Sequence, residues 1–564
     1  MKRQAEIEPT LRTGPADWIG GLAATALGLF VIHAAFGGDI LPPGHTGWML
    51  SGRIGPDPVQ YWLGWTAFAR DVWRWPPGAN PGWGMELASS VFYSDSIPLL
   101  AFAFKALRPI VDVPQYWGMW IYACGGLQAL VAWALIGRVT RDPLARLAAA
   151  GLFVLQPLLL GRLGGHFALG GQFLLLLGLW LCVVPGAGAR RIVAWAALLT
   201  VASLVQAYIL PMVAAFWLAD WLARLSDPVR RGGWRILVEA LVVPGLGVAG
   251  LWAGGVFELG GGFGGTWGGY GEMQLDLLAP FDGGYWSALL PDIATVGHLD
   301  AGYSYPGLGA LVVIALGLVA WLLGPRGGFW RYRMLLLVLA GLLAFAVTHH
   351  VSIGGRIFKV VPLPDWFVFR ADALRASERF FWPVLYAALF GACVALVRKL
   401  GGQRAGVVLF AALMLQAADL RPGFARLNDF FLPQPATVPL RLADPFWAAA
   451  AQRYAVVRVV PTGMQARNWE EVAVLAATLG LQTDAVYLAR LDPSAVEAVN
   501  AKVAQQLRSG EYEARTFYVL GDAASLALAR ASMDPVLDRL ERFDNRWVLA
   551  PGWQRQPAAN SALR

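Results

Sequence analysis

Two carboxylates between the first two apolar stretches of the chain have the residue type for acid–base chemistry. Asp57 lies in GPDPVQYWLGW, between two prolines, and Asp95 lies in YSDSIPL, where a helix is predicted to begin. A positioned carboxylate can take the proton of an attacking hydroxyl group, which is the role of a general base. Each residue also has a structural alternative, because Asp57 suits a turn and Asp95 suits a helix cap.

Basic residues occur where the predicted topology places short extracytoplasmic connections. The turn GRLGGH carries Arg162 and His166, and the loop 351–379 carries Arg375 and Arg379. Guanidinium groups bind phosphate oxygens through a fork of N–H donors, so these positions predict a site for a lipid phosphate. The alternatives are ion pairs with neighbouring acids or lipid headgroups for the arginines, and an interfacial hydrogen bond for His166.

The loop 257–303 has the opposite charge balance, with six acidic residues and no Lys or Arg. Carboxylates beside aromatic rings suit sugar hydroxyls or a divalent ion, but these acids lack the spacing of a metal-ligand set. Solvated acids of an outer loop are the simpler interpretation. We therefore assign no metal ligands from the sequence, and nucleotide-binding glycine motifs are not found.

The elements that must position these residues are membrane helices. Hydrophobic residues make up 57% of the 564 and charged residues 15%, against about 25% charged in an average soluble domain. Apolar stretches of about 20 residues, the length that crosses a bilayer, recur along the first 420 positions. About eleven spans are predicted, at residues 16–37, 116–138, 144–162, 167–185, 191–208, 209–224, 236–256, 304–324, 332–350, 380–398 and 404–420.

The charge distribution gives the predicted orientation. The net charge of +8 comes from short basic clusters between apolar spans, not from one basic face, which argues against nucleic acid as a partner. With a cytoplasmic N-terminus, every predicted inner connection carries Arg or Lys, as the positive-inside rule requires. The stretch Ser96 to Pro109 is too short to cross a bilayer, so we place it on or partly in the outer leaflet.

The resulting fold class is a mainly α polytopic membrane protein with a C-terminal soluble α/β domain. Residues 1–420 form the transmembrane domain, with a large extracytoplasmic first loop at 38–115, and residues 421–564 form the extracytoplasmic domain. In that tail, helical stretches alternate with runs of strand length, as in small α/β domains. The runs predicted as strands are YAVVRVV, AVYLARL, TFYVL and RWVLA.

Five strings in order carry a family resemblance: GPDPVQYWLGW, YSDSIPL, GRLGGHFALGGQF, GYSYPGLGAL and RASERFFWPVLY. They resemble an uncharacterised family of bacterial polytopic membrane proteins, which implies a location in the cytoplasmic membrane. The overall plan also resembles the GT-C glycosyltransferases, which use sugars linked to polyprenyl phosphate. In those enzymes an acid early in the first extracytoplasmic loop is the catalytic base or orients the acceptor, and Asp57 matches that position. An Asp-x-Asp or Glu-x-Asp pair is lacking, which leaves open whether a divalent cation is needed.

The leading hypothesis is a glycosyltransferase at the outer face of the membrane, with a polyprenyl-phosphate sugar as donor and a glycan or another molecule as acceptor. Asp57 would be the base, Asp95 a supporting carboxylate, and Arg162, His166, Arg375 and Arg379 the ligands of the donor phosphate. Two other hypotheses remain: a transporter of a lipid-linked glycan, and a non-catalytic assembly protein that recruits partners through its tail.

Overall fold

The computed structural model describes residues 15–87, 90–227, 233–258, 269–293, 295, 303–324, 329–359, 362–463, 468–488 and 490–555. The α-helices are α1 (Pro15–Phe36), α2 (Gly47–Leu50), α3 (Asp57–Arg70), α4 (Pro98–Leu107), α5 (Trp117–Ile136), α6 (Pro143–Val154), α7 (Pro157–Leu163), α8 (Phe173–Val183), α9 (Ala189–Val205), α10 (Ile209–Leu225), α11 (Arg235–Ala253), α12 (Leu308–Leu322), α13 (Arg333–Val347), α14 (Asp365–Ala371), α15 (Phe381–Leu400), α16 (Gly402–Asp419), α17 (Arg421–Phe431), α18 (Pro445–Arg453), α19 (Trp469–Leu479), α20 (Pro493–Ser509) and α21 (Ala523–Ser532). The strands are β1 (His350–Ile353), β2 (Arg356–Lys359), β3 (Val456–Val460), β4 (Gln482–Thr483), β5 (Thr516–Leu520), β6 (Arg539–Phe543) and β7 (Arg546–Ala550).

These elements form two compact units. The helical unit comprises α1, α5 to α10, most of α11, and α12 to α17, together with the β1–β2 hairpin. The α/β unit comprises α2 to α4, the last two residues of α11, and every element from α18 to β7. The first loop therefore belongs to the same compact unit as the C-terminal chain.

Five helices in the described residues are long and apolar enough to cross a membrane. They are Asp17–Phe36, Trp117–Ile136, Arg235–Ala253, Trp330–Val347 and Ser377–Leu400. Two bent pairs, Pro143–Val154 with Pro157–Leu163 and Gly402–Asp419 with Arg421–Phe431, would raise the number to seven. A helical structure suits a membrane segment, because only helices and closed barrels satisfy the hydrogen bonds of every backbone group inside a bilayer.

The structure thus supports a mainly helical membrane protein but not the count of eleven spans. The segments predicted at 167–185 and 304–324 contain α8 and α12, which are apolar but shorter than a span. The segments predicted at 191–208 and 209–224 contain α9 and α10, and neither is among the candidate spans. Hydropathy alone therefore marked apolar helices correctly, and the count of eleven spans is not confirmed by the described residues.

The α/β unit is built on a five-stranded sheet of order β4-β3-β5-β7-β6. β3 runs parallel to β4 and β5, whereas β7 is antiparallel to β5 and β6. The predicted strands YAVVRVV, TFYVL and RWVLA correspond to β3, β5 and β7. The prediction for AVYLARL is wrong, since its described residues follow β4 and are assigned to no strand.

One hydrophobic core holds the α/β unit together. It contains Val457, Phe517 and Val548 of the sheet and also Leu63 and Trp83 of the first loop. Burying a side chain of this size contributes roughly 1.5–3 kcal/mol. Because the loop supplies buried side chains, it is part of the folded α/β unit and is not a free connection between helices.

Candidate functional site

The two predicted carboxylates meet on one tyrosine in the α/β unit. Asp57 is the first residue of α3, and Tyr61 follows one turn later on the same face of the helix. The Tyr61 hydroxyl hydrogen-bonds the Asp95 carboxylate, and the charges of both Asp57 and Asp95 act on this phenol. Because Asp57 is the first residue of α3, the partial positive charge at the N-terminus of this helix stabilises its carboxylate. We call Asp57, Asp95 and Tyr61 the acid pair site.

A close approach between α3 and the following turn brings Asp95 to this position. Gln60 Nε2 donates to the Tyr93 carbonyl at 3.0 Å. A Cβ atom on Gly64 would lie 2.3 Å from Ser94 Cβ, so α3 needs glycine where it meets this turn. Asp95 itself has φ +52°, a conformation that costs a non-glycine residue energy and that concentrates at functional sites.

The environment of Tyr61 keeps its hydroxyl protonated. Burial raises the pKa of Tyr61 well above its usual range, and the negative charges of Asp57 and Asp95 raise it further. The phenol is only 2% exposed, whereas both carboxylates are partly open to solvent. A buried donor that holds one carboxylate beside another fixes their geometry.

The C-terminal chain contributes residues that the sequence did not point to. Tyr487 lies close enough to Tyr61 to raise its pKa, and Arg490 lies close enough to Tyr93 for its positive charge to lower the pKa of that phenol. Both belong to AVYLARL, the run that was predicted as a strand. Its Tyr and Arg are the residue types that stack on sugar rings and pair with anions, and this composition was the one available signal.

The predicted phosphate ligands Arg162, His166 and Arg379 form a basic cluster in the helical unit. Arg162 Nη1 lies 3.3 Å from His166 Nδ1. Burial lowers the pKa of His166 well below its usual range, and the charges of Arg162 and Arg379 lower it further. The imidazole is therefore neutral at pH 7 and accepts the hydrogen bond from Arg162.

Each arginine of the basic cluster also packs on a tyrosine. The Arg162 guanidinium lies 4.6 Å from the Tyr303 ring centroid, and that of Arg379 lies 4.5 Å from the Tyr208 ring centroid. Glu378 is buried near both arginines, where its carboxylate accepts a hydrogen bond of 2.5 Å from Ser304. The charges of Arg162, Arg379 and Asp276 all act on Glu378, so two guanidinium groups and two acids lie close together there.

The fourth predicted ligand, Arg375, stands apart from these contacts. Its carbonyl accepts the Ser377 N–H at 2.8 Å, and its side chain is half-buried. Within the described part of the chain, neither a hydrogen bond nor a ring contact joins Arg375 to the basic cluster. Its role as a phosphate ligand remains a prediction.

A buried charge network was missed by the sequence analysis. Arg191 donates to Asp220 at 2.8 and 3.0 Å, and Arg224 bridges Asp220 and Glu239. All four side chains are buried, and they cross-link α9, α10 and α11 with two positive and two negative charges. The signal was present in the sequence, since Asp220 and Arg224 are one helical turn apart and Glu239 interrupts an apolar stretch.

No metal site emerges from the described residues, where no group of three or more His, Cys, Asp or Glu side chains is placed to hold an ion. Two described acids of loop 257–303, Asp276 and Asp282, accept hydrogen bonds from backbone N–H groups. Asp276, for example, is buried and accepts the N–H groups of Gly354 and Gly355 at 3.0 and 3.1 Å. Asp300 lies outside the described residues.

The fold and these clusters define a class of protein, an α-helical protein with candidate membrane spans and an α/β unit that carries an acid pair. A family model described as a domain of unknown function, DUF6311, matches residues 25–421, and its companion C-terminal domain matches residues 446–551. Because the first match covers more than half of the chain, the protein belongs to the DUF6311 family. No curated protein matches it.

Proposed function

We propose that this protein is a membrane glycosyltransferase with a GT-C-like plan. It transfers a sugar from a polyprenyl-phosphate donor to a glycan or another acceptor at the outer face of the bacterial cytoplasmic membrane. In this proposal the N-terminus is cytoplasmic and the α/β unit is extracytoplasmic. The observation that carries the proposal is the convergence of Asp57 and Asp95 on Tyr61, since glycosyl transfer to a hydroxyl group needs a placed base.

Each residue of the acid pair site has a distinct role in the proposal. Asp57 takes the proton from the acceptor hydroxyl as the new glycosidic bond forms. Asp95, held by Tyr61, orients the acceptor beside Asp57. A positioned base contributes typically 10²–10⁴-fold to a rate.

The leaving group of the reaction is a lipid phosphate, whose growing negative charge needs cations. Arg162 and Arg379 supply that charge, and neutral His166 offers a hydrogen bond to the same anion. The stacking of each arginine on a tyrosine fixes the direction of its N–H donors before the donor binds. Arg375 is assigned to donor binding only by its place in the same loop.

The test compares envelope glycans from cells that produce the wild-type chain or the Asp57→Asn variant in equal amount. The variant keeps the size of the side chain and removes its basicity, so we expect transfer to fall by roughly 10²-fold or more. Asp112→Asn is the matched control, because Asp112 lies in the same loop with its side chain 79% exposed. Unchanged transfer in Asp57→Asn, with normal thermal stability of the purified protein, would refute the assignment.

Donor binding can be separated from the chemical step in a second assay, which uses isolated membranes and added polyprenyl-phosphate hexoses. Arg379→Gln is expected to raise KM for the donor, whereas Asp57→Asn lowers kcat. A variant of Arg379 that lowers kcat alone would contradict a donor-binding role.

A transporter of a lipid-linked glycan is the second candidate, favoured by the buried network of α9, α10 and α11. Ionisable residues inside membrane helices often belong to transport pathways. In this case Glu239→Gln would abolish flipping of a fluorescent lipid-linked glycan in proteoliposomes, while Asp57→Asn would leave it intact. Loss of flipping in neither variant would remove this candidate.

A further inference from the structure

An apolar surface of the α/β unit lies exposed where α3 and α4 end. Its members are large hydrophobic side chains, and we call them the interfacial patch: Val72, Trp73, Trp75, Leu107, Ile110 and Val111. Trp75 is 80% exposed and Ile110 is 81% exposed. Exposed apolar side chains grouped in this way mark a surface that is covered in the working protein.

An open pocket of about 370 Å³ lies beside the interfacial patch. Its walls include Asp71, Trp73, Lys105 and Arg108. The pocket therefore has both apolar and charged walls. Such walls suit a molecule with a polar head and an apolar tail.

Lys105 supplies a buried cation to this pocket. Its side chain is 6% exposed, and Nζ donates to the Val72 carbonyl at 3.1 Å. The ammonium also lies 3.8 Å from the Phe68 ring centroid and 4.8 Å from that of Trp73. The carbonyl uses one of the three N–H donors of the ammonium, so the group keeps capacity for an anion.

The charges around the pocket are predominantly positive. Asp71 is engaged by Arg74 at 2.6 Å, which leaves Lys105 and Arg108 as the cations without an acid at hydrogen-bond distance among the described residues. Asp112 lies 3.9 Å from Arg108 Nε and is mostly in solvent. The residues that line the pocket include one acid, Asp71, and two cations, Lys105 and Arg108, and Arg74 pairs with the acid, a balance that favours a negatively charged ligand.

The turn that carries Trp75 is fixed by contacts within the α/β unit. Trp75 packs against Trp252 with ring centroids 4.8 Å apart. Gly78 N–H donates to the Ala253 carbonyl at 2.7 Å, and a Cβ on Gly78 would lie 2.5 Å from the Gly254 backbone. Tryptophan and basic residues such as those of this surface are enriched at membrane–water interfaces.

We propose that the pocket between α3 and α4 binds the phosphate headgroup of an anionic membrane lipid, with the interfacial patch inserted beside it into the same leaflet. Lys105 and Arg108 pair with the phosphate, and the exposed side chains of Trp73 and Ile110 contact the acyl chains. This site is distinct from the acid pair site and the basic cluster, and its binding does not depend on glycosyl transfer.

The experiment is a titration of the purified full-length protein with phosphatidylglycerol and with phosphatidylcholine, followed by native mass spectrometry. We expect the wild type to prefer phosphatidylglycerol, and Arg108→Gln to weaken that preference about fivefold, the contribution of one basic residue near an anionic surface. Lys105→Gln is the second variant. Arg542→Gln is the matched control, since Arg542 is an exposed cation elsewhere in the α/β unit and is expected to keep the wild-type preference.

Three results would overturn the proposal. The first is that Arg108→Gln and Lys105→Gln both prefer phosphatidylglycerol over phosphatidylcholine as strongly as the wild type does. The second is an equal loss in Arg542→Gln. The third is displacement of phosphatidylglycerol by inorganic phosphate at equal concentration, which would assign the pocket to a free phosphate.

The insertion of the patch has its own measurement, which does not depend on the cation variants. An environment-sensitive fluorophore is attached to the Ile110→Cys variant of the full chain in nanodiscs. The three native cysteines are buried or half-buried in helices and are poor targets for the reagent. We expect blue-shifted emission that is quenched by lipids carrying a nitroxide on the acyl chain. The same label on Val536→Cys, another exposed position, is expected to report water. Equal emission from both variants would contradict insertion.

Discussion

Replacing Arg458 by Met tests whether the first loop and the C-terminal chain form one folding unit. Arg458 is fully buried in strand β3, between β4 and β5, and its guanidinium reaches Glu86 of the first loop at 2.6 Å, Asp484 at 3.0 Å and Glu513 at 2.7 Å. Removing one partner of a buried ion pair costs about 3–5 kcal/mol. Two of the three carboxylates are about one-third exposed, which reduces their share, so we expect a loss near the lower end of that range.

Thermal unfolding of the α/β unit in the full-length protein measures this loss. A cost of about 3 kcal/mol lowers Tm by roughly 6–12 °C for a unit of this size. Lys502→Met is the matched control, because Lys502 contacts the same Glu86 and Glu513 but has a side chain 48% exposed, and we expect little change.

The variant also carries a pH signature. Burial raises the pKa of Asp484 to about 6 even with Arg458 present. An acid whose pKa is raised by folding binds more protons in the native state, so it lowers stability as pH rises toward that pKa. Without Arg458 this loss must extend to higher pH. A Tm of Arg458→Met that equals the wild-type value at pH 8 would refute the reasoning.

Further outcomes follow from single residues. The ion pair with Arg458 overcomes the effect of burial and lowers the pKa of Glu86 to about 2. The stability that the Glu86 carboxylate contributes is therefore complete above about pH 4.5 and is lost as the pH falls toward 2. Acid unfolding of the wild type and of Glu86→Gln measures this contribution. Gly64→Ala is expected to destabilise the α/β unit by about 1–3 kcal/mol and to weaken transfer, whereas Gly391→Ala, with open space around its Cβ, does not destabilise the protein. Burial lowers the pKa of Lys105 to about 8, so the preference for phosphatidylglycerol should decline as pH rises above 8 and the ammonium loses its proton.

Much of the helical architecture could be predicted because apolar periodicity and length are local properties. Every predicted span contains a helix in the described residues. The number of spans is a finer property, and α9 and α10, both predicted as spans, are not among the candidate spans of the described residues. Trp195 and Trp217 donate to the buried Asp220 and Glu239, so aromatic and charged residues in these helices serve a polar network and not a lipid-facing surface.

The site was only partly predictable, because its geometry depends on contacts between distant parts of the chain. The residue types of Asp57 and Asp95 and their place in one loop are local signals, and the sequence gives both. The hydrogen bond of Tyr61 to Asp95 depends on Gly64, whose missing side chain lets the turn approach α3. The amino-acid sequence alone does not show which glycine lies at a close contact between two segments.

The failure at AVYLARL has a physical cause that also bears on function. Val486 and Leu488 are buried, and Tyr487 between them is half-exposed, so the run alternates as a strand does. A strand also needs a hydrogen-bonded partner, and the ladder between β3 and β4 ends at Thr483. Beyond Thr483 the chain is assigned to no strand, and in this segment Tyr487 lies near Tyr61 of the acid pair site. The C-terminal chain therefore reaches the first loop through a segment outside the ladder of β3 and β4.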